Sequence, residues 1–509
     1  MSRLRLRSIL PKPVTAVETI SSPDKLERKI VSLCCLLAAI HVFVFSAAFP
    51  YFNNVDEVEH FDLVVNYSQG CIPHGLKPMA RETLQYVIYH SPEYMYLPSF
   101  FPNGQFPAPT WKARAEDDSR RWNITAEVPN YEVSQPPLYY VQAGLWWRLG
   151  KLFGIHGLAL LYWLRFLNVV FVTGLAWLGY RTARFIFPDR PLLRLGVPAI
   201  IAAISQSALY SIDNDIMSPL CFGWAYFCLL RFWNEETPDV RLGFWTGLSL
   251  ATVYLAKTTN LPLFILALAV LAIKLSQLLR AGRLRASLPA VGSLALCAGL
   301  PVGAWLIEMK CTFGSFTGAD DKIVFLGWTQ KPIGDWWNHP IFSPGGLWSF
   351  LSNLIATFWR GELVWNGGIP TSPIMDALYI VLTISFAVLA FANLHRSKLN
   401  RLQFRALWLG VLCCFSSVSF LALLSIQFDF GESPAPSRSF PYLAAGRFIL
   451  GGLIPFLLFG LYGLDCLLRD LKIKWIHLPV LGCIVLFLLI PEIISDWSVF
   501  SSPYNWFHM

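Results

Sequence analysis

From Ile30 to Phe49 the chain reads IVSLCCLLAAIHVFVFSAAF, and from Leu261 to Leu279 it reads LPLFILALAVLAIKLSQLL. Each run is close to the ~20 residues that cross a bilayer as an α-helix. Nothing constrains a fold more tightly, because a segment in lipid must satisfy its backbone internally. The same pattern recurs along the chain, and it explains why 14% of the residues are charged where a soluble domain carries ~25%. The expected fold is an all-α polytopic membrane protein of about eleven transmembrane helices. They are placed near 30–49, 157–178, 192–210, 216–232, 242–256, 260–279, 288–308, 376–393, 404–426, 445–465 and 476–492. The third of these is interrupted and the fifth is short.

Lys and Arg set the orientation, since cytoplasmic loops are enriched in them. The first 29 residues form a basic tail with Arg3, Arg5, Arg7, Lys12, Lys25, Arg28 and Lys29. Counted from a cytoplasmic N-terminus, the inside loops hold Arg181, Arg184, Arg190 and Arg194, then Arg231 and Arg241, then Arg280, Arg283 and Arg285. Arg396, Lys398, Arg401 and Arg405 follow, then Arg469, Lys472 and Lys474. The net charge of +8 therefore reflects topology and points to no nucleic-acid partner. Residues 30–492 form the transmembrane domain, with extracytoplasmic loops at 50–135, 309–375 and 427–444 and an extracytoplasmic tail at 493–509. The first span reads as a retained anchor. Function is expected to face outward, where the long loops are. Among the 11 cysteines, Cys71 and Cys311 fall in outside loops and could pair. The others read as small packing residues, and no metal-type spacing occurs.

The first outside loop opens with NNVDEVEHFDLVVNYSQG. It reads as a short helix with Asn53 or Asn54 as N-cap and Gly70 as its stop. At ~100° per residue, Val55, Val58, Phe61 and Val65 share one face, with Asp62 at its margin. Asp56 and His60 share the opposite face, flanked by Glu57 and Glu59. Asn54 and Glu57 also have capping-box spacing, which accounts for Glu57 and leaves Glu59, His60 and Asp62 without a reason.

Two further polar islands and two isolated cations lie on the same side. SQPPLYYVQAGLWWRLG (Ser134 to Gly150) suggests an amphipathic helix along the membrane surface. Its Trp146 and Trp147, with Trp336 and Trp337, suit either sugar stacking or the interfacial aromatic belt. YSIDNDIMSP (Tyr210 to Pro219) holds Asn214 and Asp215 in a DND triplet. The triplet resembles the metal-holding DxD motif of nucleotide-sugar enzymes but reads better as a helix cap, with Asp213 or Asn214 ending one helix and Asp215 starting another. Lys257 and Arg447 are cations at the outer ends of two spans. Either could snorkel to the interface, and an arginine there is also suited to bidentate binding of a lipid phosphate.

Taken in order, these pieces resemble the GT-C superfamily of multi-pass glycosyltransferases that use polyprenyl-phosphate sugars. The pattern matches at Asp56-Glu57, His60-Phe61, Pro136-Pro137-Leu138-Tyr139, Asn214-Asp215, Lys257 and Gly446-Arg447-Phe448. The nearest likeness is to a branch of predicted multi-pass membrane proteins, distantly related to protein O-mannosyltransferases and lipid A aminoarabinose transferases. Gln135 departs from the pattern, since relatives often place His before the two prolines. The resemblance implies an inverting sugar transfer on the extracytoplasmic face, to an acceptor hydroxyl on a glycan, lipid or protein. Asp56 would be the general base, with Glu57 and His60 orienting acceptor or base. Lys257 and Arg447 would bind the lipid phosphate, and Gln135, Tyr139, Asn214 and Asp215 would contact acceptor or sugar. The resemblance fixes no cofactor, and a divalent metal is a candidate. The membrane would be the inner membrane of a bacterium or the endoplasmic reticulum of a eukaryote. The alternatives are a transporter or channel, which would favour ionisable groups within spans, and a glycan polymerase or ligase using a diphosphate-linked lipid donor.

Overall fold

A computed structural model of the chain describes residues 25–88, 97–100, 102–105, 129–394, 399–433, 436–472 and 476–508. Most of the basic tail and the cations Arg396, Lys398 and Lys474 lie outside the described residues. The protein is a multi-pass membrane protein. Among the described residues nine helical segments are long and apolar enough to cross a bilayer: Lys25–Ala48, Gly157–Ile186, Asn214–Asn234, Thr258–Arg280, Leu284–Phe313, Pro373–Leu394, Arg401–Gln427, Gly446–Asp470 and His477–Ser495. The other two expected spans are also helices but are shorter, Pro191–Ile201 and Val240–Ala256.

Sequence signals mark where several of these helices begin. Pro191, Pro262 and Pro344 stand in first turns, where an amide N–H would have no helical partner. Asp239 accepts from the backbone N–H three residues on, as does Ser343 ahead of the non-spanning Pro344–Arg360 helix, and Asn400 and Gln403 form a reciprocal capping box.

Burial sorts the spans into centre and rim. Gly446–Asp470 and Asn214–Asn234 are 78% and 72% buried, whereas Pro373–Leu394 and His477–Ser495 are each 22% buried and leave apolar side chains facing outward. The short Val240–Ala256 helix is held by close approach. Gly243 and Gly247, four residues apart, lie directly against the carbonyl oxygens of Ala290 and Leu294 on the Leu284–Phe313 helix. Such small-residue stripes let backbones meet where no hydrophobic force drives helices together in lipid.

Pro191–Ile201 is the informative exception. Its eleven residues span about 16 Å, roughly half a bilayer. The chain then runs irregularly from Ala202 to Met217, and Ser205, Gln206, Ser207, Ser211, Asp213, Asn214 and Asp215 are all buried. Irregular backbone at such depth survives only if protein satisfies it. Asn168 Nδ2 donates to the carbonyls of Leu209 (3.2 Å) and Ser211 (2.7 Å), and Asn54 Nδ2 donates to Ser207 O at 3.1 Å. In return Gln206 Nε2 donates to Thr357 O and Phe358 O, at 2.8 and 3.0 Å. The expected span at 192–210 thus gives way to a half-length helix and a buried polar island.

Outside the spans, a two-residue antiparallel pair, Thr329–Gln330 with Phe428–Asp429, ties the loop after Phe313 to the end of the Arg401–Gln427 helix. Gly446 seats the start of the Gly446–Asp470 span: a Cβ there would run into the backbone of Thr357 and Phe358. Gly446→Ala should therefore destabilise the protein by about 1–3 kcal/mol through overpacking. Gly292→Ala, which meets nothing within 4 Å, should leave thermal unfolding in detergent unchanged or slightly raised. Equal melting temperatures for the two variants would refute this view of the junction.

Candidate active site

The acidic segment does form a helix, Glu57–Ser68, but it starts later than the asparagines suggested. Asp56 occupies the N-cap in the left-handed region (φ 63°) and makes no side-chain cap bond. Asp tolerates that region better than most residues, yet the conformation is strained and is held by its surroundings. Gly70, with φ 77°, follows the helix end as expected.

Glu57 neither closes a capping box nor faces a substrate. Its side chain is fully buried against Arg165, whose Nη2 lies 2.7 and 2.8 Å from the two carboxylate oxygens and whose Nε lies 2.9 Å from one. The same carboxylate accepts from Phe52 N–H at 2.7 Å and Ile212 N–H at 3.0 Å. Arg165 also donates to the carbonyls of Phe49 and Pro50 and stacks on Tyr51 at 4.0 Å. Glu57 thus joins the end of the first span to the polar island. Asp62 is likewise structural: it accepts from Ala80 N–H, Thr83 Oγ1 and Asn130 Nδ2 at 2.7, 2.8 and 2.9 Å.

The residues facing the other way converge on Arg447. Its Nη2 lies 2.9 Å from Asp56 Oδ2, and its Nη1 lies 3.3 Å from Asp213 Oδ2 and 3.8 Å from Asp215 Oδ2. Its Nε is 3.3 Å from Glu362 Oε2, close enough to pair electrostatically but without hydrogen-bond geometry. Lys257 Nζ is bonded to Asp215 and lies over the Phe448 ring at 5.2 Å. His60 links the helix to this cluster, with Nε2 3.4 Å from Asp213 Oδ1 and Nδ1 2.7 Å from the Tyr140 hydroxyl. Within the cluster, solvent reaches the side chains of Glu362 (23%), Asp56 (17%) and Arg447 (11%), whereas His60, Asp213 and Asp215 are enclosed.

Asp56 also accepts from the Tyr131 hydroxyl at 2.7 Å. Burial alone would raise its pKa, but Arg447, then Lys322 and His60, with the Tyr131 hydrogen bond, hold it well below the usual carboxylate range. Asp213 is lowered in the same way, with His60, Lys257 and Arg447 outweighing burial. Glu362 is raised, because burial exceeds the pull of Arg447 and Arg360.

The other expected contact residues sit deeper than an open binding surface would require. Asn214 is buried and donates from Nδ2 to Gln135 Oε1 at 3.1 Å, and Gln135 in turn donates to Glu132 Oε2 at 2.6 Å. Asp213, not Asn214, caps the short turn, accepting from Asp215 N–H at 2.8 Å. Tyr139, the motif tyrosine, is buried edge-on against Tyr140, and it is Tyr140, the next residue, whose hydroxyl reaches His60. Trp147 is also interior, packed on Phe61 and Tyr86, which removes it from both the aromatic belt and sugar stacking. Cys71 and Cys311 are free and exposed. Among the described residues no group of three or more His, Cys, Asp or Glu is arranged to hold a metal ion.

Sequence reasoning missed Arg165, Tyr131, Tyr140 and Glu362. Arg165 carried a usable signal, being a charge well inside an apolar run. Tyr140 follows the tyrosine of the Pro-Pro-Leu-Tyr motif directly. Tyr131 and Glu362 lie in loops with no local pattern.

Residues 39–322, more than half of the chain, match a family described as predicted membrane protein (DUF2142). The chain belongs to that family. No curated protein matches the sequence. Among solved structures, the DUF2142 chain is similar to the archaeal oligosaccharyltransferase AglB from Archaeoglobus fulgidus, solved with an inhibitory peptide and a dolichol-phosphate. That likeness has a TM-score of 0.45 at 12% identity, over 93% of this chain and 56% of AglB. It is also similar to ArnT from Cupriavidus metallidurans bound to undecaprenyl phosphate, with a TM-score of 0.33 at 11% identity, over 92% of this chain and 88% of ArnT. The DUF2142 chain therefore spans little more than half the length of AglB.

Removing one partner of a buried ion pair leaves the other charge uncompensated, at a cost of about 3–5 kcal/mol. Glu57→Gln should accordingly lower thermal stability sharply, and a melting temperature equal to wild type would contradict a structural role. The depressed carboxyls of Asp56 and Asp213 have a different signature. Groups whose folded pKa lies below the unfolded value contribute stability that is complete above about pH 4 and lost as pH falls through the folded values. Unfolding in detergent should therefore become easier below about pH 4, and less so in Asp213→Asn.

Proposed function

We propose that this chain is an inverting glycosyltransferase, moving a sugar from a polyprenyl-phosphate donor to an acceptor hydroxyl on the extracytoplasmic face. One observation carries the reading. Asp56 is clamped to Arg447 at the solvent-reaching edge of an otherwise buried charge cluster, which puts an ionised carboxylate beside a guanidinium suited to phosphate. The motif order described above supports the same conclusion. So does an apolar groove of about 370 Å³, lined by Leu138, Gln142, Phe171, Met217, Leu220 and Trp224. It begins three residues beyond Gln135 and Asn214 and suits an isoprenoid chain running into the bilayer. The basic loops lie at the opposite ends of the spans, which supports the outward placement.

In this mechanism Arg447 and Lys257 receive the phosphate. Both already hold carboxylates, so the donor competes with Asp56 for Arg447 and loosens that carboxylate as it binds. Asp56 then accepts a hydrogen bond from the acceptor hydroxyl and draws its proton as the oxygen attacks the anomeric carbon from the face opposite the phosphate. General-base catalysis supplies about 10²–10⁴-fold. The remainder comes from positioning and from charge stabilisation at the departing phosphate. The acids around Arg447 do not suit a divalent ion, because the guanidinium lies between them, and no step is routed through a metal.

Purified protein offered a panel of radiolabelled polyprenyl-phosphate sugars should turn over at least one of them. Asp56→Asn should reduce that transfer at least a hundredfold while the protein still folds, as judged by its melting temperature. Failure of every donor to bind or react would sink the reading, and wild-type transfer by Asp56→Asn would remove the residue from its role.

A further inference from the structure

A cavity of about 360 Å³ lies between the start of the Pro373–Leu394 helix and the end of the His477–Ser495 helix. Its volume falls within the ~300–1,000 Å³ of small-molecule sites. It shares no lining residue with the groove of Leu138, Phe171 and Trp224. One short stretch of backbone keeps it apart from the charge cluster: Glu362 faces Arg447, while Arg360 and Gly361 line the cavity. The two flanking helices are the least buried of the long spans, and the exposed side chains of Ile369 and Ile494 stand at the cavity's edge. It therefore opens on the lipid-facing rim, at the same end of the spans as Arg447.

The deeper polar groups in its wall are already committed. Ser205 Oγ donates to Leu488 O at 3.0 Å, and Glu492 is held by His41 at 2.8 Å and by the Tyr210 hydroxyl. Two charged groups of opposite sign keep unused capacity. Arg360 gives Nε and Nη2 to Asp376 at 2.8 and 3.2 Å and Nη1 to Gly361 O at 2.9 Å, which uses three of its five N–H groups. Asp496 accepts from Ser495 Oγ at 2.9 Å and meets no cation among the described residues. Burial and the nearby Glu492 push its carboxyl up to about 7, as befits an acid whose counter-charge has to come from outside the chain.

We propose that this cavity binds a phosphoethanolamine group, its phosphate on the unused N–H groups of Arg360 and its ammonium on Asp496. A guanidinium is matched to phosphate oxygens. An ammonium completes Asp496 with a charge-assisted hydrogen bond that a quaternary choline has no N–H to make. Choline is recognised instead by a cage of aromatic rings, and Tyr379 is the one aromatic residue among those lining the cavity. A purely anionic headgroup would bring a second negative charge towards Asp496. On a phospholipid the acyl chains would leave past Ile369 and Ile494 into the bilayer; a free phosphoethanolamine would fill the same polar contacts.

The test is binding to the full chain in detergent, read by native mass spectrometry and by melting temperature. The probes are phosphatidylethanolamine, phosphatidylcholine, phosphatidylglycerol and soluble phosphoethanolamine. Phosphatidylethanolamine should bind and raise the melting temperature, with the other two lipids at least about tenfold weaker, the worth of one charge-assisted hydrogen bond. Asp496→Asn should lose affinity by a similar factor while melting as wild type does without lipid. Arg360→Lys, which keeps the charge beside Asp376, should weaken binding too, because an ammonium offers no planar fork to the phosphate. Stabilisation by soluble phosphoethanolamine and not by the lipid would uphold the recognition and make the ligand a solute. Equal binding of all three lipids, binding of no probe, or wild-type affinity in both variants overturns the proposal.

Discussion

The site depends on the ion pair between Glu57 and Arg165. Both side chains are out of water, where separating them or leaving either alone is costly. The pair persists because every remaining polar edge is used: Arg165 takes carbonyls at the end of the first span, and Glu57 takes the amides of Phe52 and Ile212. Three segments distant in sequence are thereby pinned to one point. The strained conformation of Asp56 follows directly, because its neighbour Glu57 is held below it and Arg447 draws its carboxylate from above.

Around Arg447 the balance of charge is unusual. Four carboxylates approach one guanidinium, and Lys257 assists at only one of them. Such a cluster is stable only if some acids are strongly ionised and others hold their protons. The opposite displacements of Asp56 and Glu362 fit that division. On the proposed reading, an anionic donor would enter such a cluster by displacing a carboxylate from the arginine, so that donor binding and activation of Asp56 would be one event.

The spans were legible because hydropathy and helix length are local properties. Nine of the expected segments are long apolar helices, and the two that fell short were the interrupted 192–210 and the short 242–256. The acidic helix was legible too, and its face bearing Asp56 and His60 is the one that meets the cluster. Individual roles were less so. Glu57 has the look of a cap and is a buried strut, Tyr139 and Trp147 have the look of contact residues and are core, and Glu362 gave no sign at all. Those assignments depend on which distant segment arrives opposite a side chain, and spacing along one helix carries no record of it.

The half-length Pro191–Ile201 helix also bears on how the protein is made. The buried segment after it has its backbone satisfied by Asn54 and Asn168 from earlier in the chain and covered by Thr357–Glu362 from much later. Arg447 comes later still. During synthesis the polar island must wait, partly unpaired, until some 150 further residues have emerged to cover it, and the charge cluster must wait longer. A chain stalled before Thr357 would leave the Gln206 side-chain amide and the Ser207 hydroxyl without these partners at membrane depth, the kind of exposed polarity that membrane quality control can detect. Biogenesis, as much as chemistry, is therefore organised around the same few polar residues.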